Sequence, residues 1–301
     1  MTSHYFPSIL DSSMLATFKS CPEKFRKEYI EDWKSKLPSV HLHAGAAFAK
    51  GLEVARTEYH VNGQPAENAV AAGMGALLKA YGNFECPADS AKSAERMAGA
   101  LEFYYYNYPL CNETAPIVLP NGKRAIEFSF AEALPICNPV TGDPLLYTGR
   151  ADAIETFAGR PFVVDEKTTT QLGGSWAKQW QLRSQFTGYC WAAKRSGIDV
   201  AGALVRGVSI LKTKYETQQV PTYRSDWQID QWYRELLVWI EDIIQCWKTG
   251  IWRHNFDHSC ADYGGCAFLS CCGTEDETPF LLTHFERRRW NPLDRTEEKV
   301  G

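Results

Sequence analysis

The chain has 301 residues, 45% of them hydrophobic and 23% charged, with a formal charge of −4, a composition that excludes disordered and fibrous classes and suffices for one large domain or two small ones. No apolar run approaches the roughly 18 residues that span a bilayer, and MTSHYFPSIL lacks the basic start and apolar middle of a secretory signal, so a cytoplasmic protein with no membrane partner is expected. The negative sum argues against wholesale attraction to nucleic acid but leaves room for local basic clusters, among them Lys24, Arg26 and Lys27, and Arg287 to Arg289.

In chain order, SSMLATFKSCPEKFRKEYIEDW reads as a helix capped by Ser12 or Ser13 and interrupted by Pro22, which puts Cys21 at a bend. GAAFAKGLEVARTEYHV carries Phe48, Leu52 and Ala55 at helical spacing, and a third helix runs from about Asp89, a candidate cap, to Tyr108. From Ala125 the texture changes. AIEFSFAEAL alternates, TGDP marks a turn, LLYTGRADAIETF alternates again, and RPFVVDEKTT follows the Ala158-Gly159-Arg160 turn, so an antiparallel meander is expected. SWAKQWQLRSQFTGYCWAAKRSG is read as one helix, GALVRGVSIL as a strand, and the segment between Asp226 and Gly250 as a long amphipathic helix. The organisation is a single domain: a mainly helical part over 1–120, an α/β core over 121–225 and a C-terminal helix with a Cys-rich tail over 226–301.

The stretch VVDEKTTT ends an apparently buried strand with Asp165, Glu166 and Lys167. Side chains alternate along a strand, so Asp165 and Lys167 share one face and Glu166 takes the other. A carboxylate beside an ammonium at a sheet end suits metal-assisted phosphodiester hydrolysis. A hard cation asks for several oxygens, and a hairpin at Ala158-Gly159-Arg160 brings Asp152 alongside. The plain alternative pairs Asp152 and Asp165 with Arg150 and Lys167.

Gly149-Arg150-Ala151-Asp152, then Val164-Asp165-Glu166-Lys167-Thr168, then Gln185-Phe186-Thr187-Gly188-Tyr189 resemble the PD-(D/E)XK nuclease superfamily, with the last motif similar to the QxxxY of its RecB-like branch. Ser13 to Phe25 is similar to the SxLxxFxxCPxKF opening of RecB-like and AddB-like nucleases, and Gly45 to Glu53 to their first active-site helix. The resemblance implies a restriction-endonuclease-like fold, a mixed central sheet flanked by helices. It implies Mg²⁺ or Mn²⁺ on Asp152, Asp165 and the Glu166 carbonyl, with Lys167 orienting or helping to deprotonate the attacking water, and Gln185 and Tyr189 positioning the DNA strand. One departure stands out. Ala49 occupies the position where many members carry a metal-binding histidine, while Glu53, one turn on, is either an acidic ligand or the ion-pair partner of Lys50 or Arg56. Trp176 and Trp180 either stack on bases or pack the core.

Ten cysteines exceed what packing requires in a reducing compartment, which brings metal or cluster ligation into view. CADYGGCAFLSCC offers four thiols and Cys21 a distant fifth; a C-x5-C-x5-C reading selects Cys272 and C-x5-C-x4-C selects Cys271. Four thiolates commonly hold an iron-sulfur cluster. The resemblance to AddB-type and CRISPR-adaptation nucleases implies a structural [4Fe-4S] cluster on Cys21, Cys260, Cys266 and Cys272; zinc is the other four-thiolate option. Cys86, Cys111, Cys137, Cys190 and Cys246 are read as small core residues.

No G-x-x-x-x-G-K-[ST] occurs, so the phosphate cradle of a helicase motor is absent. The expected function is a metal-dependent DNA exonuclease in recombination or repair, acting on DNA in the cytoplasm (of the host, if phage-encoded) beside a single-strand annealing or recombination protein. A CRISPR-adaptation nuclease, a catalytically inactive nuclease-fold module that binds DNA or protein, and a cluster-bearing structural protein are the alternatives.

Overall fold

The computed structural model describes residues 5–37, 39–111, 114–256, 258–261 and 265–293. Its elements are β1 (Ile9–Leu10), α1 (Ser12–Ser20), α2 (Pro22–Phe25), a π-helical turn (Arg26–Ile30), β2 (Trp33–Ser35), α3 (Val40–His60), α4 (Ala66–Tyr81) and α5 (Ala94–Asn107). There follow β3 (Ile126–Cys137), β4 (Pro144–Phe157), β5 (Arg160–Thr169), α6 (Gly174–Lys178), α7 (Ser184–Arg195), β6 (Gly202–Ile210) and β7 (Tyr215–Tyr223). The chain closes with α8 (Asp226–Thr249), α9 (Leu269–Cys272), α10 (Thr278–His284) and β8 (Phe285–Arg287). Among the described residues, no helix is long and apolar enough to cross a membrane.

Two compact units form. The first takes residues up to 37, 131–149 and 231–293; the second takes residues 39–130 and 150–230. In the second unit the C-terminal half of β4 pairs antiparallel with β5 (Ala153 opposite Val164), β5 runs parallel to β6 (Asp165 opposite Val205), and β6 pairs antiparallel with β7. The result is the expected α/β architecture, a mixed sheet flanked by helices. Strand β6 is buried along its whole length, as a strand covered on both faces must be. Val208 and Ile210 share an apolar cluster with Phe48 and Leu52 of α3, Leu77 of α4 and Leu101 of α5. In the first unit, β1 pairs in parallel with the N-terminal half of β4 (Ile9 opposite Leu146), and β2 pairs antiparallel with β8 (Trp33 opposite Arg287).

Several boundaries differ from the sequence reading, each for a local reason. The cap of α1 is Asp11, whose carboxylate accepts the Met14 N–H at 2.8 Å, while Ser12 and Ser13 already lie inside the helix; a carboxylate is the stronger acceptor and also suits the positive helix end. The third helix is capped by Ser93, not Asp89. The segment after β5 is two helices rather than one. Arg224, buried, donates from Nη2 to the Trp180 carbonyl at 3.4 Å and from Nε to Thr187 Oγ1 at 2.9 Å, which satisfies carbonyl and hydroxyl groups at the break. Helix α4 carries few large apolar residues and so shows little periodicity. It packs on α3 through glycines: a Cβ on Gly73 would lie 2.6 Å from the Gly51 carbonyl, so only hydrogen fits at this crossing. Strand β7 is polar and contains Pro221, which the outer strand of the order tolerates. Of the five cysteines read as core residues, Cys190 and Cys246 are buried, Cys86 and Cys111 are half-buried, and Cys137, the last residue of β3, is exposed.

Candidate active site

The β4–β5 hairpin builds the site. Ala158 and Gly159 both take left-handed φ angles, +48° and +76°, and close the two strands so that Asp152 Oδ2 accepts the Glu166 N–H at 2.7 Å. That bond sets Asp152 against the DEK segment. Asp165 is 3% exposed, and Lys167 Nζ lies 2.5 Å from its Oδ2, so the acid and lysine do share a face. Arg150 pairs with Glu127 at 2.7 Å.

These acids carry more negative charge than their neighbours compensate. Burial first, then Asp165, Glu166 and Glu127, push the Asp152 carboxyl well above the usual carboxylate range. Burial also raises Asp165, against the opposing pull of Lys167. Burial alone would lower Lys167, yet Asp165 and Asp152 raise it, so it stays an ammonium at neutral pH. An oxygen-only, under-compensated set fits a hard divalent cation, which replaces protons on such groups. Among the described residues, however, no three His, Cys, Asp or Glu side chains converge closely enough to form a ready metal cage.

Glu166 faces away and is engaged elsewhere. It forms an ion pair with Arg56 of α3, accepts the Tyr104 hydroxyl of α5 at 2.8 Å, and lies 3.8 Å from Arg206 of β6. Arg206 in turn pairs with Glu155 at 2.8 Å. Burial opposes ionisation of Glu166, but Arg56 and then Arg206 overcome it and hold the acid at about 2. Its side chain is therefore occupied by guanidinium groups, leaving the backbone carbonyl as the oxygen this residue can offer. The sequence reading placed Arg56 beside Glu53 but missed the network; the two buried arginines at 3% and 4% exposure had no signature beyond their apolar flanks.

Glu53 sits on α3, its carboxylate 2.7 Å from Lys50, and the structure does not bring it against Asp152 or Asp165 directly. The link is Glu127, which sequence reasoning passed over as one polar position in an alternating strand. Glu127 has a left-handed φ of +53°, a costly conformation for a residue with a Cβ. Burial raises its carboxyl to about 7, against Arg150, with Glu53 adding to the rise. It pairs with Arg150 at 2.7 Å and lines the same cavity as Glu53.

Gln185 and Tyr189 of α7 do lie on one helical face, with Gln185 Nε2 donating to the Tyr189 hydroxyl at 2.8 Å. Arg183, just before α7, lowers Asp165 by its charge and is a further site cation that the sequence gave no reason to choose. Trp176 and Trp180 are each 7% exposed and meet edge to face at 5.4 Å, which is packing. Trp176 fills a notch at Gly207, where a Cβ would come within 2.5 Å of its ring; Gly207 is the β6 partner of Lys167.

Residues 12–273 match the sequence profile of the PD-(D/E)XK nuclease superfamily. The chain belongs to that superfamily. Its members generally use divalent metals, in keeping with the oxygen-rich site. No curated protein matches the chain. Among solved structures, it is similar to one described as "Putative exonuclease" from Eubacterium rectale, at 10% identity over 98% of this chain and 94% of that one, with a TM-score of 0.49. It is also similar to SSO0001, at 14% identity over 80% and 77% of the two chains, with a TM-score of 0.32.

This superfamily member has a second, chemically different locus in its first unit. Cys21, Cys260, Cys266 and Cys272 line one pocket, together with Lys24 and Lys27. Two segments distant in sequence meet here: Asn255 Nδ2 and Ser259 Oγ donate to the Ser20 carbonyl at 2.9 and 2.7 Å, directly before Cys21. Burial pushes the Cys272 thiol up to about 11, with Lys27 opposing and Cys266 and Cys21 adding to the rise, which places those three thiols near one another. Cys271 instead packs into an apolar cluster with Trp33, Phe268, Leu281 and Phe285. The thiols share a pocket without closing on a point.

Proposed function

We propose that this chain is a metal-dependent DNA exonuclease of the RecB-like, AddB-like branch, working in recombination or repair and carrying a structural [4Fe-4S] cluster. The observation that carries the reading is the 2.7 Å bond from the Glu166 N–H to Asp152 Oδ2, which supports a shared oxygen pocket on the DEK strand. Asp152, Asp165 and the Glu166 carbonyl would hold Mg²⁺ or Mn²⁺, which when bound polarises the phosphate and acidifies a water. Lys167, kept protonated by Asp165 and Asp152, serves as an electrostatic donor to the scissile phosphate rather than as a base. Arg183 adds a second positive charge beside Asp165. The Gln185–Tyr189 pair orients the strand, and Glu53, reached through Glu127, is a reserve carboxylate in place of the histidine that Ala49 replaces.

Cys21, Cys260, Cys266 and Cys272 would hold the cluster, and Cys271, committed to apolar packing, is left out. The cluster takes no part in hydrolysis. It would bind the two ends of the chain into one unit, so that occupancy and folding stability are linked.

The test uses protein purified without oxygen, linear and circular DNA in single- and double-stranded form, and Mg²⁺ or Mn²⁺. Linear DNA is degraded and circular DNA spared; Asp165→Ala and Lys167→Ala each lower the rate by about 10³-fold or more. Cleavage undiminished in both variants removes the assigned site. Metal-independent DNA binding without cleavage identifies the chain as an inactive nuclease-fold binding module.

A further inference from the structure

One wall of α3 and the turn leading into β3 flank an open groove of about 590 Å³, a volume in the usual range for a ligand site. Glu53, Thr57 and His60 line it from α3; at spacings of four and three they form one helical face that runs about 10 Å along the axis. Lys123, Arg124 and Glu127 line the facing wall. The two walls share the same gradient of charge. Glu53 and Glu127 stand at one end, and Glu127 is paired at 2.7 Å with Arg150, which lies two residues from Asp152 and on the same face of β4. At the other end of the helical face stands His60, and Arg124 lines the same cavity.

The cations at that end are presented by a built turn. Gly122 (φ +79°) closes it, the Gly122 N–H donates to the Leu119 carbonyl at 2.9 Å, and the Leu119 N–H donates to the Lys123 carbonyl at 2.8 Å. The Lys123 N–H also donates to Asn121 Oδ1 at 3.0 Å. Arg124 is held by the Pro116 carbonyl at 2.9 Å. Lys123 is exposed and has no acidic partner within ion-pair distance among the described residues, unlike Lys50, which is spent on Glu53.

We propose that this cavity is the subsite for the DNA phosphodiester next to the one being cut, with Lys123 and Arg124 as its phosphate contacts. The assignment rests on the nuclease reading. A strand whose scissile phosphate lies at Asp152 and Asp165 continues past the acidic end of this cavity, and its neighbouring phosphate meets the wall that carries Lys123 and Arg124. An ammonium held on a rigid turn with no counter-ion of its own loses little on meeting a phosphate and releases a condensed counter-ion from the DNA. The neutral His60 ring, its basicity lowered to about 4 by burial and Arg124, and the Thr57 side chain form the uncharged floor between the two ends.

The test is fluorescence anisotropy with short labelled single- and double-stranded oligonucleotides and Mg²⁺, in a Lys167→Met background that prevents turnover, over a series of salt concentrations. Lys123→Ala weakens binding several-fold, and the slope of log K against log salt falls by about 0.7 to 0.9, the signature of one lost phosphate contact. Lys123→Ala/Arg124→Ala lowers the slope by about twice that. Lys79→Ala, an exposed lysine on α4, leaves both quantities unchanged. An unchanged slope in Lys123→Ala while the parent binds DNA overturns the subsite, as does an equal loss in Lys79→Ala. Absence of DNA binding by the parent defeats the nuclease reading itself, and the subsite with it.

Discussion

The two donor sets of this protein differ in hardness, in burial and in how the chain assembles them. In the second unit, Asp152 and Asp165 come from adjacent strands of a single hairpin and are placed by one backbone bond. In the first, Cys21 reaches Cys260, Cys266 and Cys272 from the far end of the chain, and short donor bonds to the Ser20 carbonyl tie the two segments together. The oxygens sit in a sheet whose fold does not depend on their ligand. The thiols sit among short elements, α9 of four residues and β8 of three, beside the small apolar cluster of Trp33, Phe268, Leu281 and Phe285. On the proposed reading, a ligand is a reagent at one place and a structural fastener at the other.

The sharpest way to break this contrast is to strip the ligands separately. A chelator that takes only loosely held divalent ions stops cleavage by about 10³-fold or more and leaves circular dichroism and melting unchanged. Cys272→Ala removes the visible absorption of the thiol-bound group and lowers the melting temperature by several degrees, whereas Cys271→Ala keeps the colour and shows only the smaller effect of a trimmed apolar contact. Equal loss of colour in both cysteine variants erases the distinction drawn from their packing.

A smaller effect separates Glu166 from its neighbours Asp152 and Asp165. Its folded value, about 2, lies below the ordinary 4.5, so the stability it contributes is complete above pH 4.5 and is lost as pH falls towards 2. The linked free energy is about 3 kcal/mol. Denaturation midpoints measured across that window fall with pH in the native protein, and the part due to this acid is missing in Glu166→Gln. If the two pH profiles run parallel, the arginine clamp on Glu166 is not what the distances say. The smallest effect belongs to α7: Gln185→Ala, which leaves Tyr189 without its donor, slows cleavage about tenfold or less, with the loss mainly in KM if the pair only orients the strand.

Legibility in the sequence followed the same division. The hairpin acids were readable because strand alternation and a Gly turn are local rules, and these fix Asp152, Asp165 and Lys167 with nothing from the rest of the chain. The bend at Cys21 was readable from Pro22. The Arg56, Arg206 and Tyr104 contacts on Glu166 were not, since they join α3, β6 and α5 across more than a hundred residues and rest on burial rather than pattern. Glu127 had a trace in the sequence, a charge in an alternating strand, but its left-handed backbone and its position among other acids appear only in three dimensions. Helix α4 was missed because alanine and glycine carry no amphipathic signal, although they are what lets two helix backbones come so close.

Gly207 carries no functional group, yet it stands beside Lys167 in the sheet and its bare Cα gives Trp176 a seat. A methyl there would displace an indole rather than a water, and the shift would pass to the lysine's strand. A saturation screen scored by survival would rank this position with the reacting groups. The map of intolerance would then trace an outline wider than the chemistry, and only separate assays of folding and of turnover on each variant would redraw it.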